Sequence, residues 1–538
     1  MYKLLDQRVL SLLSHSPRHL FADNRIGLEK ESLRVGQNGS IAQTPHPRAL
    51  GAALTHPSIT TDYSEALLEF VTPPLTGNES LMRYLRDCQA YVYSKMEDEL
   101  LWATSMPCVL AGEGSIPLAK YGSSNLGQMK TAYRRGLGLR YGRVMQVIAG
   151  VHFNFSFSDD FWCYFQDAEK NTDDKQAFIS DSYFQMIRNF QRYGWLIPYL
   201  FGASPAVCKS FLHGQETDMQ AFDDTTLYYP FATSVRMGDI GYQNSKEDKS
   251  GINVSYDNLS DYIQSLHHAV FTSYPPYKKM GIKSGDQYLQ LNANLLQIEN
   301  EYYSTVRPKQ IGPAFEMPIN ALRDRGVQYV ELRSLDVNAY EPAGISADTL
   351  YFLEAFVLFC QLNPSGIITE QERRAIKKNM EDVAHQGRKP GLKLLNKGKE
   401  VSLKDWALGV FERMQGICEV LDRDHDDSPY QTALARYKMR VVDSENTPSA
   451  KMLNEMRENN EGFFHFSLRK SQEHDRYFRD MVLPAEQQQY FENLSKTSLT
   501  AQAKIEADDV LNFDDFLKHY FDRTLGQQMP YTGLRNSG

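Results

Sequence analysis

The amino-acid sequence predicts an α+β fold in which a sheet is followed by a mainly helical region. Short segments with alternating apolar and polar residues are typical of strands, and longer segments with apolar residues three or four positions apart are typical of helices. The two kinds of segment do not follow each other in the regular order of a parallel α/β fold. After Pro342 the periodicity is almost wholly helical, which predicts a helical layer or cap over the sheet.

Taken in chain order, the first predicted element is an amphipathic helix over about residues 1–13, with Leu4, Leu5, Val9, Leu12 and Leu13 on one side. Four alternating segments are then predicted as strands: 26–35, 151–157, 297–303 and 328–337. The helical segments between them are 80–101, 175–193 and 259–271. Those of the last third are 347–362, 371–384, 403–421 and much of 431–520.

The chain of 538 residues leaves the number of domains open, because single cores usually stop growing below that size. The pattern changes near residues 340–344, but no linker rich in Pro, Gly and Ser separates the two parts. We therefore expect one unit over 1–538, with a catalytic sheet region over about 1–340 and a helical region packed on it over about 341–538.

Composition indicates a globular protein without nucleic-acid or membrane partners. The net charge of −9 disfavours nonspecific binding to nucleic acid, which depends on Lys and Arg neutralising phosphates. The N-terminus mixes charges into its apolar positions, unlike a signal peptide. The longest apolar stretch, 350–362, contains Glu354 and is too short to span a bilayer. These features predict a cytoplasmic protein.

The six cysteines are scattered along the chain without CxxC or zinc-ligand spacing. A chain of this length does not depend on disulfides to stabilise its core. Free thiols are therefore the expectation.

The strand predicted at 151–157 has one polar face. Val151 and three phenylalanines point to one side, and His152, Asn154 and Ser156 point to the other. A strand facing water is one interpretation, although Lys, Glu and Thr would then be the usual polar residues. The alternative is that these three side chains line a functional site.

Two further strands carry charged residues on one face. Glu29 and Glu31 share a face in the first strand, and two neighbouring carboxylates repel each other unless a cation lies between them. Glu331 and Arg333 share a face in the last strand, and arginine is suited to bidentate contact with phosphate or carboxylate. A solvated edge strand and a structural ion pair remain the respective alternatives.

Together these strands predict a sheet curved into a cup with a polar interior. Oxygen ligands with a single histidine favour Mg²⁺, or Mn²⁺, over zinc, and several Mg²⁺ ions would imply bound phosphates. A Walker loop and a GxGxxG motif are both missing from the sequence, which disfavours P-loop and Rossmann enzymes. Asp62 and Glu69 are seven residues apart, so no single periodicity places them relative to the cup.

Several of these segments resemble the proteobacterial type of glutamate–cysteine ligase, also called γ-glutamylcysteine synthetase. The similarity runs in order from about residue 24 to 391. The matching strings are 27–31 (GLEKE), 60–70 (TTDYSEALLEF), 150–156 (GVHFNFS), 198–206 (PYLFGASPA), 296–301 (LQIENE) and 331–336 (ELRSLD).

The resemblance implies a fold related to glutamine synthetase, with a cup-shaped, mainly antiparallel sheet surrounded by helices. It implies the first step of glutathione synthesis, in which ATP, L-glutamate and L-cysteine give γ-glutamylcysteine, ADP and phosphate. ATP would be a co-substrate and Mg²⁺ the cofactor, with Mn²⁺ as a substitute. No obligatory protein partner is implied.

The resemblance also implies roles for individual residues. The metal-binding positions are Glu29, Glu31, Asp62, Glu69 and Glu331, with His152 beside them. Asn154 and Arg333 correspond to positions that face the transferred phosphoryl group, and with His152 they form the implied catalytic set. The implied cysteine pocket consists of Tyr63, Tyr133, Leu137, Gln146, Arg236, Tyr242 and Tyr303. Tyr63 stands where the family often has phenylalanine.

Two other activities are compatible with these residues. One is a ligase of the same superfold that joins glutamate to a different amine. The other is a metal-dependent phosphohydrolase, which would release phosphate from ATP without an amine acceptor. The requirement for cysteine distinguishes both from a glutamate–cysteine ligase.

Overall fold

A computed structural model describes residues 3–241, 252–313 and 315–522. Its strands are β1 Arg25–Gly36, β2 Ile59–Thr61, β3 Leu67–Val71, β4 Glu99–Leu101, β5 Val151–Ser156, β6 Ala206–Cys208, β7 Gln220–Ala221, β8 Thr226–Tyr228, β9 Lys283–Ser284, β10 Gln287–Tyr288, β11 Val306–Lys309, β12 Tyr329–Leu335, β13 Lys393–Asn396 and β14 Lys399–Ser402.

The helices of the same ranges divide between the sheet region and the last third of the chain. Those before residue 340 are α1 Lys3–His15, α2 Asn78–Lys95, α3 Asn125–Tyr141, α4 Asp159–Ala168, α5 Lys175–Tyr193, α6 Leu196–Phe201, α7 Lys209–Leu212, α8 Leu259–Phe271, α9 Pro275–Met280 and α10 Pro318–Arg325. Those after it are α11 Ala347–Leu362, α12 Glu370–Gln386, α13 Leu403–Leu421, α14 Pro429–Val442, α15 Pro448–Glu458, α16 Phe463–Asp480, α17 Ala485–Asp508 and α18 Phe513–Phe521.

The central sheet has seven strands in the order β11-β12-β5-β1-β3-β2, with β4 also paired to β1. Every pairing in it is antiparallel. Alternation along β1, β5 and β12 places Leu28, Phe153 and Leu332 on the buried back face and leaves the polar residues on the front. The α+β class and the antiparallel sheet expected from the sequence are confirmed.

Most of the predicted elements are present. The strands predicted at 26–35, 151–157 and 328–337 correspond to β1, β5 and β12. The helices predicted at 175–193, 259–271, 347–362 and 403–421 have the predicted bounds. Side-chain caps explain several of the starts: Asp174, Asn258, Ser346 and Ser402 accept hydrogen bonds from backbone N–H groups of the first turns.

Two predictions of secondary structure are wrong. Residues 297–303 form a 3₁₀ turn at Glu299–Glu301 instead of a strand, because the Glu301 side chain accepts a hydrogen bond from Gln297 N (2.8 Å) and folds the segment back. The helix predicted at 80–101 ends at Lys95, and its last residues form β4, which pairs with β1. The helical region also contains the hairpin β13–β14.

One large hydrophobic core extends from Leu5 in α1 to Tyr520 in α18 and therefore includes both parts of the chain. Helix α11 lies deep within it, in contact with α5, α13 and α14. None of the helices in the described ranges combines the length and the apolar character needed to cross a membrane.

The expectation of free thiols is wrong for one pair. Cys108 and Cys208 form a disulfide with their Cα atoms 5.6 Å apart, whereas Cys88, Cys163, Cys360 and Cys418 are free. The bonded residues are 100 positions apart, so the tertiary fold alone brings them together. The spacing of the cysteines in the sequence therefore could not predict this disulfide.

A thiol titration of the unfolded chain tests this bond. We expect four reactive thiols when the chain is denatured without reductant, and six after reduction. In the variant Cys108→Ser the count is expected to be five in both conditions. Six thiols in the unreduced wild-type chain would contradict the disulfide.

Glu354 gives the core a dependence on pH. Its carboxylate lies within α11, accepts hydrogen bonds from Asn78 Nδ2 (2.5 Å) and Tyr430 Oη (3.3 Å), and burial raises its pKa from 4.5 to about 7. The folded state therefore keeps a proton that the unfolded chain releases near pH 4.5. Folding stability from this group is complete below pH 4.5 and is lost as the pH rises towards 7.

The variant Glu354→Gln is expected to remove this loss. We expect the variant to match the wild type at pH 4 and to be more stable by about 3 kcal/mol at pH 8, because the buried charge is gone. Denaturant unfolding at both pH values measures the difference. Glu412→Gln, which changes an exposed acid on α13, serves as the control with no expected pH-dependent difference. A destabilised Glu354→Gln at pH 8 would refute the assignment.

Candidate active site

The front face of the central sheet forms the floor of a cavity of about 310 Å³. Strands β1, β2, β3, β5, β11 and β12 contribute to its lining, and helices α3, α8, α10 and α18 form its walls. Of the polar faces predicted from the sequence, Glu29, Glu31, His152 and Arg333 line this cavity, whereas Asn154, Ser156 and Glu331 are not among its lining residues.

The strand register decides which polar side chains meet. Glu29 in β1 lies directly opposite His152 in β5, and Glu31 lies opposite Glu69 in β3. Glu331 in β12 lies opposite Asn154 in β5. Side chains opposite each other in antiparallel strands are close enough to interact. The register thus joins acids and an imidazole from four strands into one cluster.

Glu29, His152 and Glu331 form the centre of this cluster. One ligand atom from each of the three residues lies within 4.8 Å of the others. His152 Nδ1 is 3.0 Å from Glu29 Oε2 and 3.4 Å from Glu331 Oε1, and Asn154 Nδ2 donates to Glu29 Oε1 at 2.9 Å. Burial lowers the pKa of His152, and nearby Arg333 lowers it further. A neutral imidazole can act as a metal ligand.

Glu331 is enclosed by cations. Arg333 NH1 is 2.6 Å from its Oε1, and Lys309 Nζ is 3.3 Å from its Oε2. Burial alone raises the pKa of Glu331, but the Arg333, Lys309 and His152 side chains outweigh burial and hold the pKa well below its usual value. Glu331 therefore stays ionised and fixes the direction of the Arg333 guanidinium.

Glu31 and Glu69 form a second acidic group with Asp62. Burial, with Asp62 nearby, raises the pKa of Glu31 to about 8. Burial and the neighbouring carboxylates of Glu29 and Asp62 raise the pKa of Glu69 well above its usual value. Buried acids that repel one another in this way are stabilised when a cation binds between them.

Gly150 holds part of this arrangement in place. Its N–H donates to Glu31 Oε2 at 2.6 Å. A Cβ atom at this position would lie 2.0 Å from Arg236 NH2, so glycine is required for the arginine to approach the chain. Arg236 NH2 in turn donates to the Arg333 backbone oxygen at 3.1 Å and lies directly behind the Arg333 strand.

The donor set of the two acidic groups fits Mg²⁺ or Mn²⁺. Both ions prefer carboxylate oxygens, and the cluster offers five acids with one imidazole and no thiolate. Its residues are Glu29, Glu31, Asp62, Glu69, Glu331 and His152.

The implied cysteine pocket lies at one side of the same cavity. Tyr63, Tyr133, Leu137, Gln146 and Tyr303 all line it. Arg236 is buried, with only 1% of its surface exposed, and is not among the residues that line the cavity. Tyr242 lies outside the described residues.

Comparison with known proteins identifies the family. The family model "Glutamate-cysteine ligase" matches residues 9–383. The chain belongs to the glutamate–cysteine ligase family. A glutamate–cysteine ligase of Alcanivorax borkumensis is 47% identical over 524 residues, which cover 96% of this chain and 99% of the relative. That of Pseudomonas aeruginosa strain UCBPP-PA14 is 46% identical over 98% of this chain and 99% of its own length.

Solved structures of related ligases share the fold. The glutamate–cysteine ligase of Francisella tularensis in complex with AMP is 37% identical, with a TM-score of 0.87 over 94% of this chain and 98% of that one. A bifunctional glutathione synthetase from Pasteurella multocida is 25% identical, with a TM-score of 0.71 over 92% of this chain and 58% of that one.

Four basic residues that line the cavity of this glutamate–cysteine ligase fold were not predicted from the sequence as site residues. Lys130 and Arg134 lie on α3, and Arg307 and Lys309 lie on β11, and all four line the cavity. Arg134 NH2 is 3.6 Å from Asp62 Oδ1, and Arg307 lies opposite Glu331 in the sheet. For Arg307 and Lys309, the sequence signal was the pair of basic residues in the short segment 306–309, which precedes helix α10 and the strand that carries Glu331.

Proposed function

We propose that the chain is an ATP-dependent glutamate–cysteine ligase that catalyses the first step of glutathione synthesis. The γ-carboxylate of L-glutamate attacks the terminal phosphorus of ATP, giving γ-glutamyl phosphate and ADP. The amino group of L-cysteine then attacks the acyl carbon, phosphate leaves, and the amine loses a proton. The observation that carries the proposal is the buried Glu29–His152–Glu331–Arg333 cluster inside a cavity of this family's fold.

Phosphorylation is the step that the buried cluster suits. A carboxylate is a poor electrophile, so its conversion to an acyl phosphate makes amide formation possible at neutral pH. Bound Mg²⁺, held by Glu29, Glu31, Asp62, Glu69, Glu331 and His152, would neutralise charge on the transferring phosphoryl group. The complex of the Francisella relative with AMP supports the use of an adenine nucleotide.

Arg333 is the residue proposed to stabilise the moving phosphoryl group. Its guanidinium points along the cavity wall, with NH1 bound to Glu331, and its Nε makes no hydrogen bond within the described residues. A guanidinium held in place by a buried carboxylate needs little reorganisation when charge develops beside it. Asn154 and His152 each contact one carboxylate oxygen of Glu29 and so hold the Glu29 side chain in place beside Arg333.

The acceptor amino acid is proposed to bind at the tyrosine-lined side of the cavity. Arg236 would hold its carboxylate, since arginine binds carboxylates in two parallel hydrogen bonds. The rings of Tyr63, Tyr133 and Tyr303 and the side chain of Leu137 suit a small side chain such as that of cysteine. Tyr63 is buried, and its hydroxyl packs against Gly138. A Cβ atom on residue 138 would lie 2.3 Å from the Tyr63 hydroxyl oxygen, so the tyrosine needs a glycine at that position.

An assay of ADP release with each substrate omitted in turn tests the proposal. We expect ADP formation only when ATP, glutamate, cysteine and Mg²⁺ are all present. Equal rates with alanine or 2-aminobutyrate would indicate a glutamate ligase with another acceptor. Phosphate release at full rate without any amine would indicate a phosphohydrolase. Either result would refute the proposed function.

Three wider predictions from the sequence accompany this function. We propose that the chain works as one unit, which the continuous hydrophobic core supports. Small-molecule substrates are sufficient for the proposed reaction, without nucleic acid, membrane or an obligatory protein partner. We also propose a cytoplasmic location, where small-molecule substrates of this kind would be available.

A further inference from the structure

The C-terminal helix α18 lies far from the catalytic sheet in the sequence but forms part of the cavity wall. The matched family region ends at residue 383, and α18 spans Phe513–Phe521. Tyr520, near the end of this helix, lines the same cavity as Glu29 and Arg333 and is only 7% exposed. A residue of the last helix therefore faces the space in which the proposed reaction takes place.

Helix α3 runs along the cavity, so its residues define the two ends between which α18 can be located. One face of α3 lines the cavity from Leu126 to Tyr141. Leu137 and Tyr133, near the C-terminal end of that face, belong to the proposed cysteine pocket. At 1.5 Å per residue, Leu126 lies about 16 Å from Leu137 along the helix axis. The cavity therefore extends well beyond the cysteine pocket towards the start of α3.

The segment leading into α18 is attached to this far end. Asn125, the first residue of α3, donates from Nδ2 to the backbone oxygen of Leu511 at 2.9 Å. Asp514 in α18 pairs with Lys283 (2.7 Å) and accepts a hydrogen bond from Tyr288 Oη (2.8 Å). Phe516, one helical turn before Tyr520, packs edge-on against Phe315 with the ring centroids 5.9 Å apart, and Phe315 packs against the cluster that contains Leu126 at the start of α3. This part of α18 therefore covers the cavity near the start of α3.

Apolar rings and side chains dominate the wall beside Tyr520. Tyr262 and Leu266 from α8 and Ile319 and Leu322 from α10 line the cavity, and α8 packs directly on α10. Ile319 N donates to Glu299 Oε1 at 3.2 Å, and burial together with the nearby Glu299 carboxylate raises the pKa values of both Tyr262 and Tyr520. These side chains therefore surround one part of the cavity.

We propose that Tyr520 of α18 contacts the nucleotide and closes the nucleotide end of the active site. The inference rests on the proposed use of ATP. The nucleotide's terminal phosphate must reach the glutamate carboxylate near Arg333, and its base must lie away from the cysteine pocket. A flat heterocycle is suited to an apolar wall with tyrosine rings, which bury large surfaces on its faces.

Tyr520→Ala tests this contact directly. Titration calorimetry with a nonhydrolysable ATP analogue and Mg²⁺ measures nucleotide binding without turnover. We expect the Kd of the analogue and the KM for ATP to rise about tenfold, because a buried aromatic contact is lost. The KM values for cysteine and glutamate are expected to stay within twofold. Tyr520→Phe keeps the ring and is expected to stay within twofold of the wild type for the analogue.

Tyr477→Ala is the matched control, since Tyr477 lies on α16, is 43% exposed and is outside the cavity lining. It is expected to leave analogue binding unchanged. If Tyr520→Ala does not fold, Tyr520→Leu replaces it, with an expected fivefold weaker binding. An unchanged Kd in the folded variant, or a selective rise in the KM for cysteine, would overturn the inference.

The same measurements separate this inference from the proposed function. A wild-type enzyme without cysteine-dependent ADP release would refute the ligase activity. Analogue binding that still weakens in Tyr520→Ala would support the nucleotide contact in that case. Normal ligase activity with unaltered analogue binding in the variant would refute the contact alone.

Discussion

Replacing Arg333 by lysine is expected to lower kcat about 1,000-fold while the KM for glutamate changes less than threefold. The guanidinium is fixed by Glu331 at 2.6 Å and presents its other N–H groups in a rigid plane. A lysine ammonium keeps the charge but not that geometry, so stabilisation is lost mainly in the transition state. Loss of a preoriented donor typically costs 100-fold to 1,000-fold in turnover.

Steady-state ADP release measures the effect, with glutamate and ATP varied separately. Arg323→Lys is the control, because Arg323 on α10 is 41% exposed at its side chain and pairs with Asp324. It is expected to retain wild-type kcat. A large rise in the KM for glutamate with unchanged kcat in Arg333→Lys would place Arg333 in ground-state binding instead of phosphoryl transfer.

The sequence was sufficient to predict the acidic face of the sheet because alternation along a strand decides which side chains share a side. Glu29 with Glu31, His152 with Asn154, and Glu331 with Arg333 were paired in this way, and each pair does share a face. Alternation says nothing about which strands are neighbours. The contacts between Glu29 and His152 and between Glu31 and Glu69 depend on the antiparallel register, which only the structure supplies.

Alternation also fails to separate a solvated face from a buried polar one. The sequence left open a solvated strand with Lys30 and Arg34 facing water, but both residues are buried. Lys30 Nζ binds Ser32 Oγ (2.5 Å) and Gln89 Oε1 (2.9 Å), and Arg34 NH1 pairs with Glu99 (2.5 Å). Gln89 lies in α2 and Glu99 in β4, so the burial of Lys30 and Arg34 could not be predicted from the sequence of β1 alone.

Contributions from distant parts of the chain were beyond sequence reasoning for a similar reason. Lys130 and Arg134 line the cavity from the middle of α3, where no sequence motif indicated a functional site. Tyr520 lines it from α18, the last helix of the described residues. The Cys108–Cys208 bond joins residues 100 positions apart. Each of these depends on how whole elements pack together, and residue type and spacing do not encode that packing in a recognisable pattern.

Glu31→Gln is expected to raise the Mg²⁺ concentration for half-maximal activity about 100-fold. Glutamine keeps an oxygen that can accept the hydrogen bond from Gly150 N–H. It cannot supply the negative charge that Glu31 would give to a metal bound between Glu31, Asp62 and Glu69. The loss of a charged ligand weakens metal binding strongly. Activity measured over a range of Mg²⁺ concentrations at saturating substrates gives this value. Glu79→Gln, an exposed acid at the start of α2, is the control with no expected change.

The stability of the metal-free protein gives a second measure of Glu31→Gln. Because burial and the Asp62 carboxylate raise the pKa of Glu31 to about 8, the carboxyl must take up a proton when the metal-free chain folds at pH 7, and glutamine removes this cost. We therefore expect the variant without metal to unfold at a Tm equal to or above that of the wild type. Added Mg²⁺ with ATP should then raise its Tm less than it raises that of the wild type, since ligands stabilise a protein in proportion to their binding to the folded state. A lower Tm without metal, together with an unchanged Mg²⁺ requirement, would mean that Glu31 is a structural acid paired within the sheet and not a metal ligand.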